Sequence, residues 1–346
     1  MNYSVRGNLK PYNEIWLDCI QNNLMSILIS YDSIFELLPA TMKFEYWKKK
    51  KSQQFDSRDT YKSLLKQGLF IPKIIYQTDQ IKSFFNIEKR IFQNSKINGI
   101  HELICDAFSE NKFVFLHVDR FFFSSGRETG KLHFVHPTFL YGYSKEQGTY
   151  TAIEDCLSPG HMQSYQIPKE VVTESTKFLL QQGRQVCFSE VTPLENKIKN
   201  NDFGNYDLML EEIKDTISLS EIRYVKEYDL YYQVGLSVLD QYLEEYEEII
   251  GSCEDVSIFS LRTTSFVQNH KKNGHMLLKR MQDKPKYRDT GLIKFAERSL
   301  ELALEWEIFK NVMIKNMVSG SDKNDRKSKE KLRTIIDLEY KLFQGI

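Results

Sequence analysis

The chain has 346 residues, of which 41% are hydrophobic and 13% aromatic, so it is long enough for two domains with substantial cores. Lysine plus arginine and aspartate plus glutamate number 47 each, and this balance gives no basic field that would attract nucleic acid or an anionic membrane. The 5 cysteines without CxxC spacing favour neither a disulfide framework nor a zinc site, and without a leader-like start or about 18 consecutive apolar residues we expect a cytoplasmic protein.

The first predicted helix covers Leu17 to Tyr31, where apolar residues recur at helical spacing. Asp18 is in the N-cap position, which puts Cys19 in the first turn, where unpaired N–H groups and the helix dipole favour a thiolate. The charge of Asp18 opposes this effect. An inert buried cysteine is the alternative, but the polar residues after Cys19 favour a nucleophile. The amide of Asn13 could donate to an oxyanion together with the Cys19 N–H, or form an Asx-turn after Pro11.

Aromatic and β-branched blocks between Phe113 and Cys156 predict three or four strands. The last two should form a hairpin around Lys145 to Gly148. This pairing places His136 opposite position 157 and makes Asp155 its diagonal neighbour on the same face. Diagonal neighbours lie about 7–8 Å apart at the backbone, near enough for a carboxylate to orient an imidazole. The hairpin therefore predicts a base and its orienting group, which together require a nucleophile.

Asp119 follows the first buried strand, Phe113 to Val118. A carboxylate at the end of such an apolar strand is either a turn former or a site residue, and as a site residue it would bind an amine substrate. His101 and Cys105 are one turn apart on a predicted helix, but two residues do not make a metal site, so no metal is expected.

The polar run from Glu195 to Asn205 is the predicted domain boundary, giving domains over 1–195 and 206–346. The second domain has sustained helical periodicity and should be an all-α bundle. Its expected helices lie near 206–218, 219–250, 256–281, 289–319 and 326–344. Between Lys43 and Gln67 the chain is charged, and its lysine run from Lys48 to Lys51 is interpreted as a solvated face, with a docking patch for an acidic partner as the alternative. The predicted fold class is α+β, with an antiparallel sheet followed by a helical region.

A cysteine opening the first helix, combined with the segments HVDRFFF, HPTFLYGY and AIED, resembles the papain-like acyltransferase family named for the butirosin acyltransferase. The pattern is more distantly similar to C39-type cysteine peptidases, which share a histidine six residues before the glycine of a GY pair and an aspartate ending the next strand. The resemblance covers roughly residues 13–160 and implies Cys19 as nucleophile, His136 as base and Asp155 as orienting group. The GP pair usual after the peptidase cysteine is missing here, and Asn13 stands where papain-like peptidases have glutamine.

The resemblance implies a papain-like core and an amide-forming acyltransferase of thiotemplated, nonribosomal antibiotic biosynthesis. It would take an acyl group from a phosphopantetheine thioester on an acyl or peptidyl carrier protein and pass it to an amine acceptor such as a diamine. The helical second half fits the thiotemplate amide synthases of this family. Since phosphopantetheine arrives on the carrier, no cofactor of its own is expected, nor a nucleic-acid or membrane partner. A papain-like cysteine peptidase with the same triad and a non-catalytic binding protein on the same fold are the alternatives.

Overall fold

The computed structural model describes residues 3–7, 9–40, 42–48, 63–66, 68–76, 78–93, 99–158, 160–201, 220–226, 229–283, 290–320 and 326–344. The fold is α+β with antiparallel sheets and a C-terminal helical region. It divides into two compact units, Met1–Leu38 with Thr78–Gly204, and Pro39–Gln77 with Asn205–Ile346. No helix within the described ranges is long and apolar enough to cross a membrane.

The strands in chain order are β1 (Tyr3–Ser4), β2 (Met42–Lys48), β3 (Lys73–Tyr76), β4 (Phe85–Phe92), β5 (Phe113–Asp119), β6 (Val135–Ser144), β7 (Thr149–Glu154), β8 (Gln163–Pro168), β9 (Val186–Pro193), β10 (Glu221–Val225) and β11 (Leu230–Val234). The main helices are α1 (Cys19–Tyr31), α2 (Asp79–Lys82), α3 (Ile100–Ser109), α4 (Lys169–Gln181), α5 (Glu195–Lys199), α6 (Val238–Ser252), α7 (Val256–Asp283), α8 (Thr290–Ser319) and α9 (Arg326–Phe343).

An antiparallel sheet of 7 strands forms the centre of the first unit, in the order β4-β9-β5-β6-β7-β8 with β1 beside β6. Alternate residues of β5 point to opposite faces of this sheet. On one face Val114, Leu116 and Val118 join a buried core with apolar residues of α3 and α4. Phe115, whose side chain points to the other face, packs against Phe139 of β6. Helix α1 contacts β6, and the Asn23 amide on α1 donates to the Ile153 carbonyl of β7 at 3.5 Å.

Strands β6 and β7 form the predicted hairpin, whose loop is bounded by Ser144 and Thr149. A β-bulge between Leu140 and Gly142 shifts the register by one residue, so Phe139 faces Ile153 instead of Glu154. The bulge lies where β1 joins the sheet. A Cβ on Gly142 would be only 3.0 Å from the Tyr3 carbonyl oxygen, so glycine permits this close approach. On the side of the bulge away from the loop, each β7 residue therefore points to the opposite face from the one that the regular hairpin register predicts.

The second unit contains a sheet of 4 strands in the order β10-β11-β2-β3, together with helices α6 to α9. The helices predicted near 256–281, 289–319 and 326–344 are confirmed as α7, α8 and α9. The single helix predicted over 219–250 is wrong, because β10 and β11 occupy its first half and only α6 is helical. The helix predicted over 206–218 lies outside the described residues.

Residues 39–77 were expected in the first domain, but the structure groups them with the second unit. Strand β2 pairs with both β3 and β11, so one of the two inner strands of the second sheet comes from a segment that precedes most of the first unit. Phe44 and Tyr46 of β2 are fully buried, although the surrounding sequence is rich in lysine. The two units meet along the chain at Leu38/Pro39, Gln77/Thr78 and Gly204/Asn205.

Candidate active site

Helix α1 begins at Cys19, and Asp18 is its N-cap, as the sequence predicts. The Asp18 carboxylate accepts a hydrogen bond from the Gln21 N–H at 2.7 Å, which satisfies one of the free amides of the first turn. The Cys19 side chain is half-buried at this helix start. The local sequence therefore places a partly accessible cysteine at the start of the helix.

The protonation state of Cys19 depends on residues more than a hundred positions away. Burial is the largest factor and raises the pKa of the thiol to about 12, together with the nearby carboxylates of Asp18, Glu154 and Asp155. The Arg120 guanidinium lowers it, but by less than the other factors raise it. The resting residue is thus a neutral thiol at neutral pH, which corrects the expectation of a thiolate favoured by the helix start.

His136, Glu154 and Asp155 converge at the ends of β6 and β7. The potential ligand atoms of these three buried residues all lie within 4.8 Å of one another. Arg120, which follows β5 and is only 1% exposed, inserts its guanidinium among them. Its Nη2 atom lies 2.9 Å from His136 Nδ1 and 2.5 Å from Asp155 Oδ1, and it also hydrogen-bonds Glu154. The guanidinium nitrogen therefore occupies the position between these side chains that a metal ion would need.

The carboxylate nearest to the imidazole is Glu154, whose Oε2 is 3.5 Å from His136 Nδ1. The sequence predicted Asp155 for this role. Asp155 instead uses Oδ1 to accept from Arg120 and Oδ2 to accept from the Gly160 N–H at 3.4 Å. The bulge in β6 explains the difference, because a one-residue shift in register directs Glu154 toward His136. Asp155 is linked to the imidazole through Arg120.

Arg120 stabilises the ionised form of Asp155. Burial alone would raise the pKa of this carboxyl group, but the charge and hydrogen bond of Arg120 lower it overall, with smaller contributions from His136 and the Gly160 N–H. Asp155 is therefore ionised at neutral pH. Besides Arg120, a second guanidinium approaches this carboxylate, since Arg127 Nη2 lies 3.7 Å from Asp155 Oδ2.

Asn13 is positioned differently from the predicted oxyanion donor. Its Oδ1 accepts from the Met162 N–H at 2.7 Å, and its Nδ2 donates to the Met162 carbonyl at 2.9 Å. These two hydrogen bonds connect the segment before α1 to the residue that precedes β8. The structure thus gives Asn13 an anchoring role, with both its amide oxygen and its amide nitrogen bonded to the backbone of Met162.

Asp119 does not face an open cleft, so the predicted amine-binding role is corrected. Its side chain is fully buried. One carboxylate oxygen accepts from the backbone N–H groups of Phe121 and Phe134 at 3.1 and 3.0 Å. The other lies 2.7 Å from Nδ1 of His133. Asp119 therefore caps the 3-10 turn that delivers its neighbour Arg120 to the site.

Sequence reasoning missed Arg120 and Glu154, although both lie in quoted motifs. Arg120 is the arginine of HVDRFFF, where a charged residue inside an aromatic block requires a buried partner. Glu154 immediately precedes Asp155 in AIED, and the choice between them depends on register alone. The available signal was Gly142, since an isolated glycine inside a strand pattern often marks a bulge.

The site thus consists of the Cys19 thiol and a buried cluster of acidic and basic side chains, His136, Glu154, Asp155 and Arg120. Among the described residues, Cys19 Sγ and His136 share no hydrogen bond, so proton transfer between them requires one side chain to move. Such a cluster can accept a proton and stabilise an imidazolium, which is what nucleophilic catalysis by a thiol requires. No protein-family model matches the chain, and no curated protein is significantly similar to it.

Proposed function

We propose that this protein is a cysteine-dependent acyltransferase that forms amides. One observation carries the proposal: the half-buried Cys19 thiol lies within the electrostatic influence of Arg120, Glu154 and Asp155, which surround His136. The motif resemblance supplies the substrate class. The acyl donor is a phosphopantetheine thioester on a carrier protein, the acceptor is an amine such as a diamine, and the reaction takes place in the cytoplasm.

Acylation begins when a ring nitrogen of His136 takes the proton of Cys19. This transfer leaves the total charge of the site unchanged, and the new imidazolium is balanced by Glu154 and Asp155. The thiolate then attacks the thioester carbonyl carbon, and the oxyanion is stabilised by backbone N–H groups of the α1 first turn. Collapse of the tetrahedral intermediate breaks the bond to the carrier sulfur. The imidazolium gives its proton to that leaving thiolate, so the carrier departs as a thiol.

The second half of the reaction reverses the proton movement. The amine nitrogen attacks the acyl-Cys19 carbonyl, and His136 accepts the proton that the nitrogen loses. The Cys19 thiolate is expelled and regains a proton from the imidazolium. An amide has formed from a thioester, which is downhill and needs no nucleotide. Because Arg120 Nη2 donates to His136 Nδ1 at 2.9 Å, this nitrogen can take a proton only after the guanidinium has moved away from it. Arg120 stays bonded to Glu154 and Asp155 during this movement.

A non-catalytic binding protein is the second candidate, and the thiol itself favours it. The pKa of Cys19 is raised to about 12, whereas catalytic cysteines generally have lowered values. A peptidase would use the same residues but admit water, or a peptide amine, in place of the acceptor.

The deciding experiment incubates the protein with an acyl-pantetheine thioester and a diamine. We expect intact-protein mass spectrometry to show one acyl adduct on Cys19 when the diamine is omitted, and amide product when it is added. Cys19→Ala should lose both signals. Cys105→Ala is the matched control, since Cys105 is also half-buried but lies on α3 beside His101.

Each other result rejects the proposal. Hydrolysis of peptides by wild type without amide formation would indicate the peptidase. A wild type that forms neither adduct nor product, and that binds the acyl thioester as tightly as Cys19→Ala does, would indicate the binding protein. Activity that survives Cys19→Ala would exclude a cysteine mechanism of any kind.

A further inference from the structure

Strand β4 is the outer strand of the 7-stranded sheet, and it pairs only with β9 among the described strands. Six of its 8 residues, Asn86 to Ile91, are exposed, including two apolar side chains. Ile87 is 40% exposed and Ile91 is 54% exposed. A strand of this length whose outer N–H and C=O groups lack a strand partner is a template for adding another strand.

We infer that β4 pairs antiparallel with β4 of a second copy of this chain, with Lys89 of each copy on the two-fold axis. Such a pairing would join two sheets into one continuous sheet. The inference is independent of the proposed chemistry, because it concerns the edge of the sheet formed by β4 and not the end of β6 and β7.

The geometry of the strand restricts the register. In β4, backbone groups of alternate residues point toward β9, and those of the intervening residues point outward. A two-fold pairing can form hydrogen bonds only if outward residues face outward residues, so the symmetry axis must pass through a residue and not between two. The axes that keep most of the strand paired therefore pass through Glu88, Lys89 or Arg90.

Side chains select among these three axes. With Lys89 on the axis, Ile87 faces Ile91 of the second copy, and Glu88 faces Arg90 of the second copy. Each contact occurs twice by symmetry. With the axis on Glu88 or Arg90, identical charges also meet at the centre, Ile87 faces Lys89 or Gln93, and neither the isoleucine pair nor the Glu88–Arg90 pair forms. Opposite-charge and aliphatic cross-strand pairs stabilise a sheet, whereas facing like charges destabilise it.

The charge environment on β9 supports the same register. Glu88 faces Glu190 of β9, so its neighbour within the sheet is another carboxylate. Arg90 bonds Glu190 at 2.8 Å and is still 49% exposed, so part of its side chain remains accessible. Arg90 of the second copy would place positive charge beside Glu88. One contact in this register is unfavourable: the Lys89 side chains of the two copies face each other, and their repulsion should limit the affinity of the dimer.

Cysteine cross-linking tests the register directly. Facing residues in an antiparallel pair have Cα atoms about 4.5–5.5 Å apart, which a disulfide can span. Under mild oxidation, Lys89→Cys should form a covalent dimer at least about tenfold faster than Glu88→Cys, whose opposite residue is Arg90. Equal rates for the two variants, or faster cross-linking by Arg90→Cys, would overturn the register.

Sedimentation equilibrium of the full-length protein tests the interface itself. Wild type should dimerise reversibly, Glu88→Arg should weaken the dimer about tenfold, and the double variant Glu88→Arg with Arg90→Glu should restore it. Lys89→Thr should tighten it by a similar factor, because the repulsion at the axis is removed. A wild type that stays monomeric at millimolar concentration, or a dimer insensitive to all these changes, would overturn the proposal.

Discussion

Arg120 is the residue on which the buried cluster depends, since one guanidinium serves two carboxylates and contacts an imidazole. Removing one partner of a buried ion pair leaves charge without compensation, which generally costs about 3–5 kcal/mol. We therefore expect Arg120→Met to lower the free energy of unfolding by about this amount, measured by urea denaturation at pH 7. Adding Glu154→Gln and Asp155→Asn to this variant should restore much of the loss, because the uncompensated charges are then gone.

Arg90 provides the matched control for Arg120. It also bonds a glutamate at 2.8 Å, but its side chain is 49% exposed. Exposed ion pairs contribute about 0–1 kcal/mol, so Arg90→Met should change the unfolding free energy little. Equal effects of the two arginine substitutions would mean that burial of the cluster does not determine its contribution to stability.

The raised pKa of the Cys19 thiol predicts how its reactivity depends on pH. Its pKa is raised by burial and by Asp18, Glu154 and Asp155 to about 12 in the folded protein. Alkylation by iodoacetamide requires the thiolate, so Cys19 should react more slowly than a model thiol at pH 8, and its rate should keep rising with pH up to about 12. Because a raised pKa favours the protonated folded state, the associated stability is present below the unfolded pKa of about 8.5 and is lost as pH rises toward the folded value.

Removing a nearby carboxylate charge checks the cause of this shift. Asp155→Asn and Glu154→Gln should each speed alkylation of Cys19 at pH 8, as followed by peptide mass mapping. Glu88→Gln, on the exposed strand β4, should leave the rate unchanged. If none of the three changes alters the rate, burial alone raises the pKa and the thiol is not coupled to the cluster.

At the scale of elements, local signals predicted well and non-local ones did not. The N-cap at Asp18 and the loop between β6 and β7 depend on residues that are neighbours in the sequence, and both predictions are confirmed. The bulge depends on β1 arriving beside Gly142, which no neighbouring residue encodes. The strands β10 and β11 have residues at helical spacing as well as β-branched and aromatic side chains, and pairing with the distant β2 decides between the two.

Gly142 connects the arrival of β1 to the register at the site. A Cβ there would lie 3.0 Å from the Tyr3 carbonyl oxygen, so Gly142→Val must displace β1 or distort the bulge. We expect a loss of about 1–3 kcal/mol in unfolding free energy, together with reduced acyl-adduct formation on Cys19. Gly7→Ala is the control, because a Cβ at Gly7 meets nothing within 4 Å. Wild-type stability of Gly142→Val would show that β1 and the bulge are independent.

At the scale of the whole molecule, each unit is assembled from two separate stretches of chain. All the residues proposed for the chemistry belong to the first unit, which is interrupted by Pro39–Gln77. A fragment covering Met1–Gly204 therefore contains β2 and β3 but lacks β11, the other partner of β2. An unpaired strand edge promotes association with other chains. The boundary predicted from the sequence would thus cut through the second sheet.

Replacing Pro39–Gln77 in that fragment by a Gly/Ser linker of about ten residues should remove the problem, since the linker can close the gap without a strand. We expect this version to be monomeric by light scattering and to unfold in one cooperative transition by circular dichroism, whereas the uninterrupted fragment should associate. It should also keep its acyl adduct on Cys19, because His136, Glu154, Asp155 and Arg120 are all retained. If only the uninterrupted fragment folds, Pro39–Gln77 belongs to the first unit, and the division of the chain into these two units is incorrect.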